Sequence, residues 1–253
     1  MDFWKYYDIT HRDHVICNPM SSEKIDELVD MLQLPPDSRV LDIATGKAEF
    51  IIRLVERHDV SAIGIDLSPF YLVEAKTKIK ERIPNSNIEL IEMDGADYIP
   101  EKPESFDLVS CLGASWIYKG YEGTLKFMIK QAKPGGIVIL GEPYWIVEPP
   151  KEYFDKAKEV YPPEDLLQFG THHENVKTGE NLGLTLIYCL VSNRDDWDRY
   201  LNLQWNATNK YIRSNPDDPE IPEMLNKLNK EKELYLEWER EIFGWAIYVF
   251  RKN

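Results

Sequence analysis

Short apolar runs alternate with helical patterns between residues 38 and 141. The runs have the length of strands and cover Arg39–Ile43, Ser61–Asp66, 87–92, 106–111 and 137–140. Between the second and third runs, apolar side chains over residues 72–83 recur at about the 3.6-residue period of a helix, which Pro84 ends. Strands that alternate with helices at this spacing predict βαβ units, and hence a parallel sheet with helices on both faces.

Beyond residue 141 the pattern predicts a different arrangement. Apolar runs at 182–191 and 242–250 predict two late strands, and the polar stretch between them predicts helices. We expect the first of these helices to begin after an N-cap at Asp195 or Asp196, because a short carboxylate side chain can accept hydrogen bonds from the free N–H groups of a first turn. The fold class is therefore α/β, with five consecutive strands followed by two more.

The 253 residues are expected to form a single domain with a helical cap. The predicted sheet core comprises about residues 34–142, 181–193 and 242–253, and the cap comprises residues 1–33, 143–180 and 194–241. A helix in the first cap segment is expected to open at Ser21 or Ser22. Ligands of an open parallel sheet bind beyond the carboxyl ends of its strands, so we expect the cap to cover that edge.

Composition and charge narrow the classes of partner. Hydrophobic residues make up 43% of the chain, which is enough for a substantial core, and the formal net charge is −14. An acidic surface repels phosphate groups, so we expect no nucleic acid or membrane partner. Three widely spaced cysteines give no disulfide framework, and we find neither a signal-peptide pattern nor an apolar stretch of about 18–20 residues. These observations predict a cytoplasmic protein, either a monomer or a homodimer.

Carboxylates end or follow the first three predicted strands. Asp42 lies near the end of the first strand, Asp66 ends the second, and Asp94 follows the third. Since the carboxyl ends of parallel strands share one edge, these groups are expected to meet over one crevice. There Asp66 can accept hydrogen bonds from two ribose hydroxyls, Asp94 from an adenine amine, and Asp42 can lie near an ammonium group. Each aspartate alone is equally well explained as a turn or helix cap, and their common order favours a nucleoside site.

The turn after the first strand distinguishes between nucleoside ligands. Residues 44–49 read A-T-G-K-A-E, and Gly46 allows the backbone to approach a ligand closely. A dinucleotide site would carry G-x-G-x-x-G at a helix amino terminus that faces a pyrophosphate. This turn has one glycine, and Glu49 would add negative charge near the pyrophosphate. A nicotinamide-dependent oxidoreductase is therefore the weaker hypothesis.

At these residues the chain resembles the class I S-adenosylmethionine-dependent methyltransferases. The first motif of that family is acidic-x-G-x-G-x-G, and residues 42–48 follow it with Ala44 and Ala48 at the first and third glycine places. A closer resemblance to a prokaryotic branch that is expected to act on small molecules appears at residues 111–117, 133–136, 141–145, 197–200 and 243–245. The resemblance implies a three-layer Rossmann-like fold, with a seven-stranded sheet that is mostly parallel and has an antiparallel last strand.

The resemblance also implies a cofactor, S-adenosyl-L-methionine, and the residues that hold it. Asp42, Ala44 and Gly46 would line the methionine side, Asp66 and Leu67 would hold the ribose, Asp94 and Gly95 would face the adenine, and Leu112 and Gly113 would lie under the ligand. The implied activity is methyl transfer to a small molecule. A sensor that binds the cofactor without catalysis would share all of these residues and remains the alternative.

Of the residues that could orient or deprotonate the methyl acceptor, which also include His11 in the amino-terminal arm, we single out three. Glu142 and Tyr144 directly follow the fifth predicted strand, so we expect them at the mouth of the crevice. His14 lies in the arm 6–19, which the family often folds over the ligand as a lid. His172 and His173 have no further spaced ligand, so we interpret them as loop residues and predict no metal site.

Overall fold

A twisted seven-stranded sheet organises the computed structural model, which describes residues 2–162 and 169–253. The strands are β1 (Arg39–Ile43), β2 (Ser61–Asp66), β3 (Ile88–Glu92), β4 (Phe106–Leu112), β5 (Ala132–Trp145), β6 (Leu184–Val191) and β7 (Phe243–Lys252). Their spatial order is β3-β2-β1-β4-β5-β7-β6, and β7 runs antiparallel to both of its neighbours. The predicted fold class, with an antiparallel last strand, is confirmed.

Helices cover both faces of this sheet. They are α1 (Phe3–His11), α2 (Ser22–Leu32), α3 (Glu49–His58), α4 (Pro69–Arg82), α5 (Tyr121–Gln131), α6 (Lys151–Ala157), α7 (His172–Asn181), α8 (Arg194–Ser214) and α9 (Ile221–Leu234). Successive strand residues belong to different apolar clusters: Val40 packs with α2 and α3, whereas Leu41 packs with α5. The central strands are therefore buried on both faces, which explains why their sequences are continuously apolar.

Strand β5 is longer than its apolar run predicts. The prediction was 137–140, whereas β5 spans Ala132–Trp145. The extension follows from pairing with β7, which continues from Ile137↔Arg251 to Trp145↔Phe243. Glu142 and Tyr144 consequently lie inside a paired strand and do not follow it, because a tertiary partner overrides the local signals of glycine and proline.

Two helix starts differ from their predictions, and one agrees. The side chain of Ser21 accepts from the N–H of Lys24 and caps α2, as predicted. The N-cap of α8 is Asn193, and neither Asp195 nor Asp196 caps it, since Asp196 instead accepts from the backbone N–H of Asn193 and completes a capping box. His172 and His173 open helix α7, because Thr171 and Glu174 form a capping box there, and so they are not loop residues.

The arm at the amino terminus packs on the cap helices. Tyr6 and Ile9 of α1 form a buried cluster with Met224 of α9. The predicted cap segment 143–180 contains α6 and α7, while residues 163–168 of it lie outside the described residues. In the two described stretches, none of the helices has the length and apolarity to cross a membrane.

Candidate active site

A cavity of about 630 Å³ lies beyond the carboxyl ends of β1, β2, β4 and β5. Its volume is in the range of small-molecule sites, roughly 300–1,000 Å³. The structure brings all nine residues predicted for the cofactor to its wall: Asp42, Ala44, Gly46, Asp66, Leu67, Asp94, Gly95, Leu112 and Gly113. The predicted meeting of the three aspartates over one crevice is therefore observed.

The turn after β1 is built from left-handed backbone conformations. Ala44 has φ +54°, Gly46 has φ +56° and Ala48 has φ +58°. These are the three places where the methyltransferase motif carries glycine, which adopts such angles without a steric penalty. Alanine can adopt them only at a cost of about 1–2 kcal/mol per residue. The family motif and the observed backbone thus describe the same tight turn.

Asp66 joins two backbone segments at the cofactor side of the cavity. Its Oδ2 accepts from the N–H of Gly46 at 2.7 Å, and its Oδ1 accepts from the N–H of Ser68 at 2.8 Å. Burial raises the pKa of Asp66, and the two backbone hydrogen bonds oppose that shift. Each carboxylate oxygen keeps a lone pair with which it can accept from a hydroxyl of a ligand.

Asp42 is a buried carboxyl group that favours a cationic partner. It is 3% exposed, and its Oδ1 accepts from the hydroxyl of Ser110 at 2.6 Å. Burial raises the pKa of Asp42 to about 6, although the Ser110 hydrogen bond acts in the opposite direction. A cationic group beside this carboxylate would offset the cost of its desolvation.

Protonation of Asp42 leads to a prediction for ligand binding. With a pKa of about 6 in the free protein, Asp42 is ionised at pH 7.5 and mostly protonated at pH 5. An ammonium group stabilises only the ionised form, so affinity for S-adenosylhomocysteine should fall roughly tenfold from pH 7.5 to pH 5. Calorimetric titration at both values measures this change. Asp42→Asn should bind weakly at both, and a wild-type affinity that does not change with pH would contradict the assignment.

Asp94 combines a local capping role with a place on the cavity wall. Its Oδ1 accepts from the N–H of Ala96 at 2.9 Å and caps the 3₁₀ turn Gly95–Asp97. Gly95 is required there because a Cβ would approach the Cγ2 atom of Ile43 to 2.9 Å. Asp94 can therefore cap the turn through Oδ1 and still accept a hydrogen bond from a ligand through its second carboxylate oxygen.

Lys47 was not a predicted site residue, yet it holds the amino-terminal arm over the cavity. Its Nζ donates to the carbonyl oxygens of His11 at 3.0 Å, Arg12 at 3.2 Å and His14 at 3.0 Å. It also forms an ion pair with Glu74 at 2.7 Å, and its side chain is 2% exposed. A cation at the end of α1 satisfies carbonyl groups that lack helical partners.

Asn18 provides a second attachment of the arm. Its Nδ2 donates to the carbonyl oxygen of Leu112 at 2.9 Å, at the end of β4. Phe3, Tyr7 and Cys17 of the same arm line the cavity. The arm thus covers the crevice, as the resemblance to the methyltransferase family predicts.

Of the three candidates for the acceptor side, Glu142 lines the cavity, and His14 and Tyr144 do not. Glu142 is 2% exposed, its Oε1 accepts from the hydroxyl of Ser115 at 2.7 Å, and burial raises its pKa to about 8. The ring Nε2 of His14 donates to the carbonyl oxygen of Tyr200 at 2.8 Å. Tyr144 packs its ring against Gly244 instead. The geometry therefore favours Glu142.

The described side chains that could ligate a metal ion are dispersed. Across residues 2–162 and 169–253, His, Cys, Asp and Glu residues do not gather in groups of three that could hold a metal ion. The Nδ1 of His172 lies 3.1 Å from the hydroxyl of Tyr248.

Comparison with known proteins identifies the class of enzyme. Residues 40–136 match the family profile described as a methyltransferase domain. The crystal structure of an S-adenosylmethionine-dependent methyltransferase from Geobacter sulfurreducens with S-adenosylhomocysteine has a TM-score of 0.89 and 29% identity, over 98% of both chains. A second such complex, from Thiobacillus denitrificans, has a TM-score of 0.88 and 30% identity over 100% of both chains. The chain belongs to the S-adenosylmethionine-dependent methyltransferases.

The chain is also similar to the protein YjhP of Escherichia coli. The two are 31% identical over 249 residues, which is 98% of each chain. S-adenosylmethionine is the cofactor of this enzyme, and the nicotinamide hypothesis is wrong. The cavity fits the cofactor, because the buried carboxylate of Asp42 matches an ammonium group and the carboxylate of Asp66 on the cavity wall keeps lone pairs for hydroxyl groups.

Proposed function

We propose that this methyltransferase acts on a small-molecule acceptor. The observation that carries the proposal is that one cavity brings the predicted cofactor residues and Glu142 together under the covering arm. A covered cavity of about 630 Å³ suits a small molecule better than a polymer. The net charge of −14 also disfavours a nucleic acid acceptor.

The proposal also assigns segments of the chain to a core and a cap, and residues of the cavity to the cofactor and the acceptor. The chain is one methyltransferase domain whose cap over the sheet edge comes from segments 1–33, 143–180 and 194–241, although α2 and α7 of these segments pack on the faces of the sheet. The nine residues predicted from the sequence bind the cofactor. Glu142 contacts the acceptor, whereas His14 and Tyr144 have no role in the proposal because they lie away from the cavity.

The chain contributes orientation and the exclusion of water. S-adenosylmethionine supplies an electrophilic methyl group when it is bound. The residues of the chain hold the acceptor in line with that group, and the arm keeps solvent out. A proton acceptor is needed only where the acceptor atom carries a proton.

A two-stage experiment tests the proposed function. Calorimetry with S-adenosylhomocysteine first measures cofactor binding, and a mass-spectrometric screen of small phenols, thiols, amines and carboxylic acids then detects methylated products. We expect binding and a product that is about 14 Da heavier than one acceptor class. Tight binding with every acceptor unmodified would favour a sensor, and methylation of nucleic acid in preference to small molecules would contradict the proposal.

A further inference from the structure

The acceptor side of the cavity has a wall of large rings and one carboxyl group. We call this part the acceptor chamber and define it by Ser115, Trp116, Glu142, Pro143, Trp197 and Trp245. These residues come from the turn after β4, from β5, from α8 and from β7. Glu142 follows Gly141, the register partner of Leu112, so the chamber adjoins the residues predicted to lie under the cofactor. Indole rings provide flat apolar surfaces on which a planar molecule can pack.

The described wall of the whole cavity offers no free cation for an anionic acceptor. The basic side chains of this described wall are Lys47 and His11. The ammonium group of Lys47 is bound by three carbonyl oxygens and by Glu74. Burial keeps His11 uncharged by lowering its pKa. No side chain of the described wall would pair with a carboxylate or phosphate group in this cavity, so with the neutral S-adenosylhomocysteine bound such a group would lose its water without gaining a charged partner.

Glu142 lies in surroundings that favour its neutral form. The titratable groups that interact with it are Cys111 on β4, Tyr121 on α5 and Tyr248 on β7, and burial raises the pKa of all three, so they are uncharged near neutral pH. Ser115 donates the hydrogen bond that Glu142 accepts. Because the pKa of Glu142 is about 8, this carboxyl group can take up a proton from a weak acid and release it again.

Trp197, which lines the chamber, carries an unpaired hydrogen-bond donor. The indole Nε1 of Trp197 is buried, and within the described part of the chain it has no hydrogen-bond acceptor. A buried donor of this kind is satisfied when a ligand brings an uncharged oxygen atom to it. The chamber therefore has flat apolar walls and a proton acceptor, and one residue of its wall, Trp197, carries an unpaired donor.

We propose that the acceptor is an uncharged planar molecule with a weakly acidic hydroxyl group, of the phenol or enol class, and that Glu142 takes the proton of that hydroxyl. This inference rests on the proposed function. The oxygen–methyl bond forms as the sulfur–methyl bond breaks, the electron pair of the broken bond stays on sulfur, and the hydroxyl proton moves to Glu142 and then to solvent. A cationic acceptor is disfavoured because it would lie beside the positive sulfonium group.

Two series of probes with the same rings but different charges test the acceptor class. The first is catechol, 3,4-dihydroxybenzoate and dopamine, and the second is 1,4-dihydroxynaphthalene and 1,4-dihydroxy-2-naphthoate. Binding to the protein saturated with S-adenosylhomocysteine is measured by calorimetry and by quenching of tryptophan fluorescence, and methyl ethers are measured by mass spectrometry. We expect the uncharged members to bind at least about tenfold more tightly than the carboxylates, because a buried unpaired anion is penalised.

Glu142→Gln tests the proton transfer. Glutamine keeps an acceptor for the Ser115 hydroxyl but cannot take up a proton, so kcat should fall by roughly 10²–10⁴-fold while the KM for the acceptor changes little. In the wild type, kcat should rise with pH up to about the pKa of 8, and the variant should lose this dependence. Glu148→Gln is the matched control, because Glu148 is an exposed glutamate shortly after β5 and away from the cavity.

The possible results separate this inference from the proposed function. Loss of all S-adenosylhomocysteine binding would remove the proposed function and the inference together. Cofactor binding with a preference for the carboxylates or for dopamine would leave the methyltransferase in place and overturn the acceptor class. Cofactor binding with none of the probes bound would also overturn it. A Glu142→Gln variant with wild-type kcat and pH profile would remove Glu142 from the reaction.

Discussion

Replacing Asp66 with alanine should weaken the binding of S-adenosylmethionine by roughly a hundredfold. The carboxylate lines the cavity and is expected to accept from both ribose hydroxyls, and a hydrogen bond to a charged group contributes about 1.5–3 kcal/mol. Two such bonds to a ligand would account for about 3 kcal/mol at the least, which corresponds to a factor of roughly 10² in Kd. Calorimetry with S-adenosylhomocysteine, which does not require an acceptor, measures the change.

The same substitution removes contacts within the protein, so stability must be measured as well. Asp66 accepts from the N–H groups of Gly46 and Ser68, and both would lose their partner in Asp66→Ala. Glu92→Gln is the matched control, because Glu92 is the register partner of Asp66 on β3, is exposed and lies away from the cavity. Unchanged affinity in a folded Asp66→Ala protein would show that the ribose binds elsewhere.

Replacing Lys47 with methionine should release the amino-terminal arm. Methionine preserves much of the buried length of the side chain but leaves three carbonyl oxygens of the arm without their donor. We expect the free energy of unfolding to fall by about 2–4 kcal/mol, mainly from the buried hydrogen bonds. The ion pair with Glu74 adds little to this figure because that glutamate is 40% exposed.

Hydrogen exchange distinguishes release of the arm from general destabilisation. The amides of α1 should exchange faster in Lys47→Met, while those of β4 and β5 should keep their relative protection. Lys126→Met is the control, since Lys126 forms an exposed ion pair with Glu122 and should change stability by less than about 0.5 kcal/mol. Equal protection of α1 in the wild type and in Lys47→Met would show that other contacts hold the arm.

The two variants also report on different parts of the cavity. Asp66 acts from the end of β2 on the cofactor side, and Lys47 acts from the turn after β1 on the arm. Cofactor affinity should therefore fall more in Asp66→Ala, and arm protection should fall more in Lys47→Met. Lys47 follows Gly46, whose N–H donates to Asp66, so both substitutions affect the same tight turn. We therefore expect the effects of Asp66→Ala and Lys47→Met on stability to be non-additive in the double variant.

Local patterns were sufficient for the first half of the fold. Strands β1 and β2 have the bounds that their apolar runs predict, and α4 ends before Pro84 as its period indicates. These elements are buried on regular faces, so their sequences report their structure directly. By contrast, the extent of β5 depends on β7, which is more than 90 residues away in the chain, and a local pattern cannot report such a partner.

The residues of the site likewise include some that local patterns predict and others that they do not. Asp42, Asp66 and Asp94 were predictable because the direction of parallel strands alone brings their ends to one edge. The roles of Lys47 and Asn18 were not predictable, since their partners lie 33–36 and 94 residues away in the chain. His14 and Tyr144 were plausible in sequence, but the path of the arm and the packing of Tyr144 against Gly244 place them away from the cavity.

The amino-acid sequence by itself determined the α/β class, the order of the core elements and the edge where the cofactor carboxylates meet. These features follow from short-range periodicity and from the direction of the chain in βαβ units. Only the tertiary structure decided how far β5 extends, how the arm is held and that Glu142, rather than His14 or Tyr144, lines the cavity. Those outcomes depend on hydrogen bonds and burial between residues far apart in the chain, which no local pattern encodes.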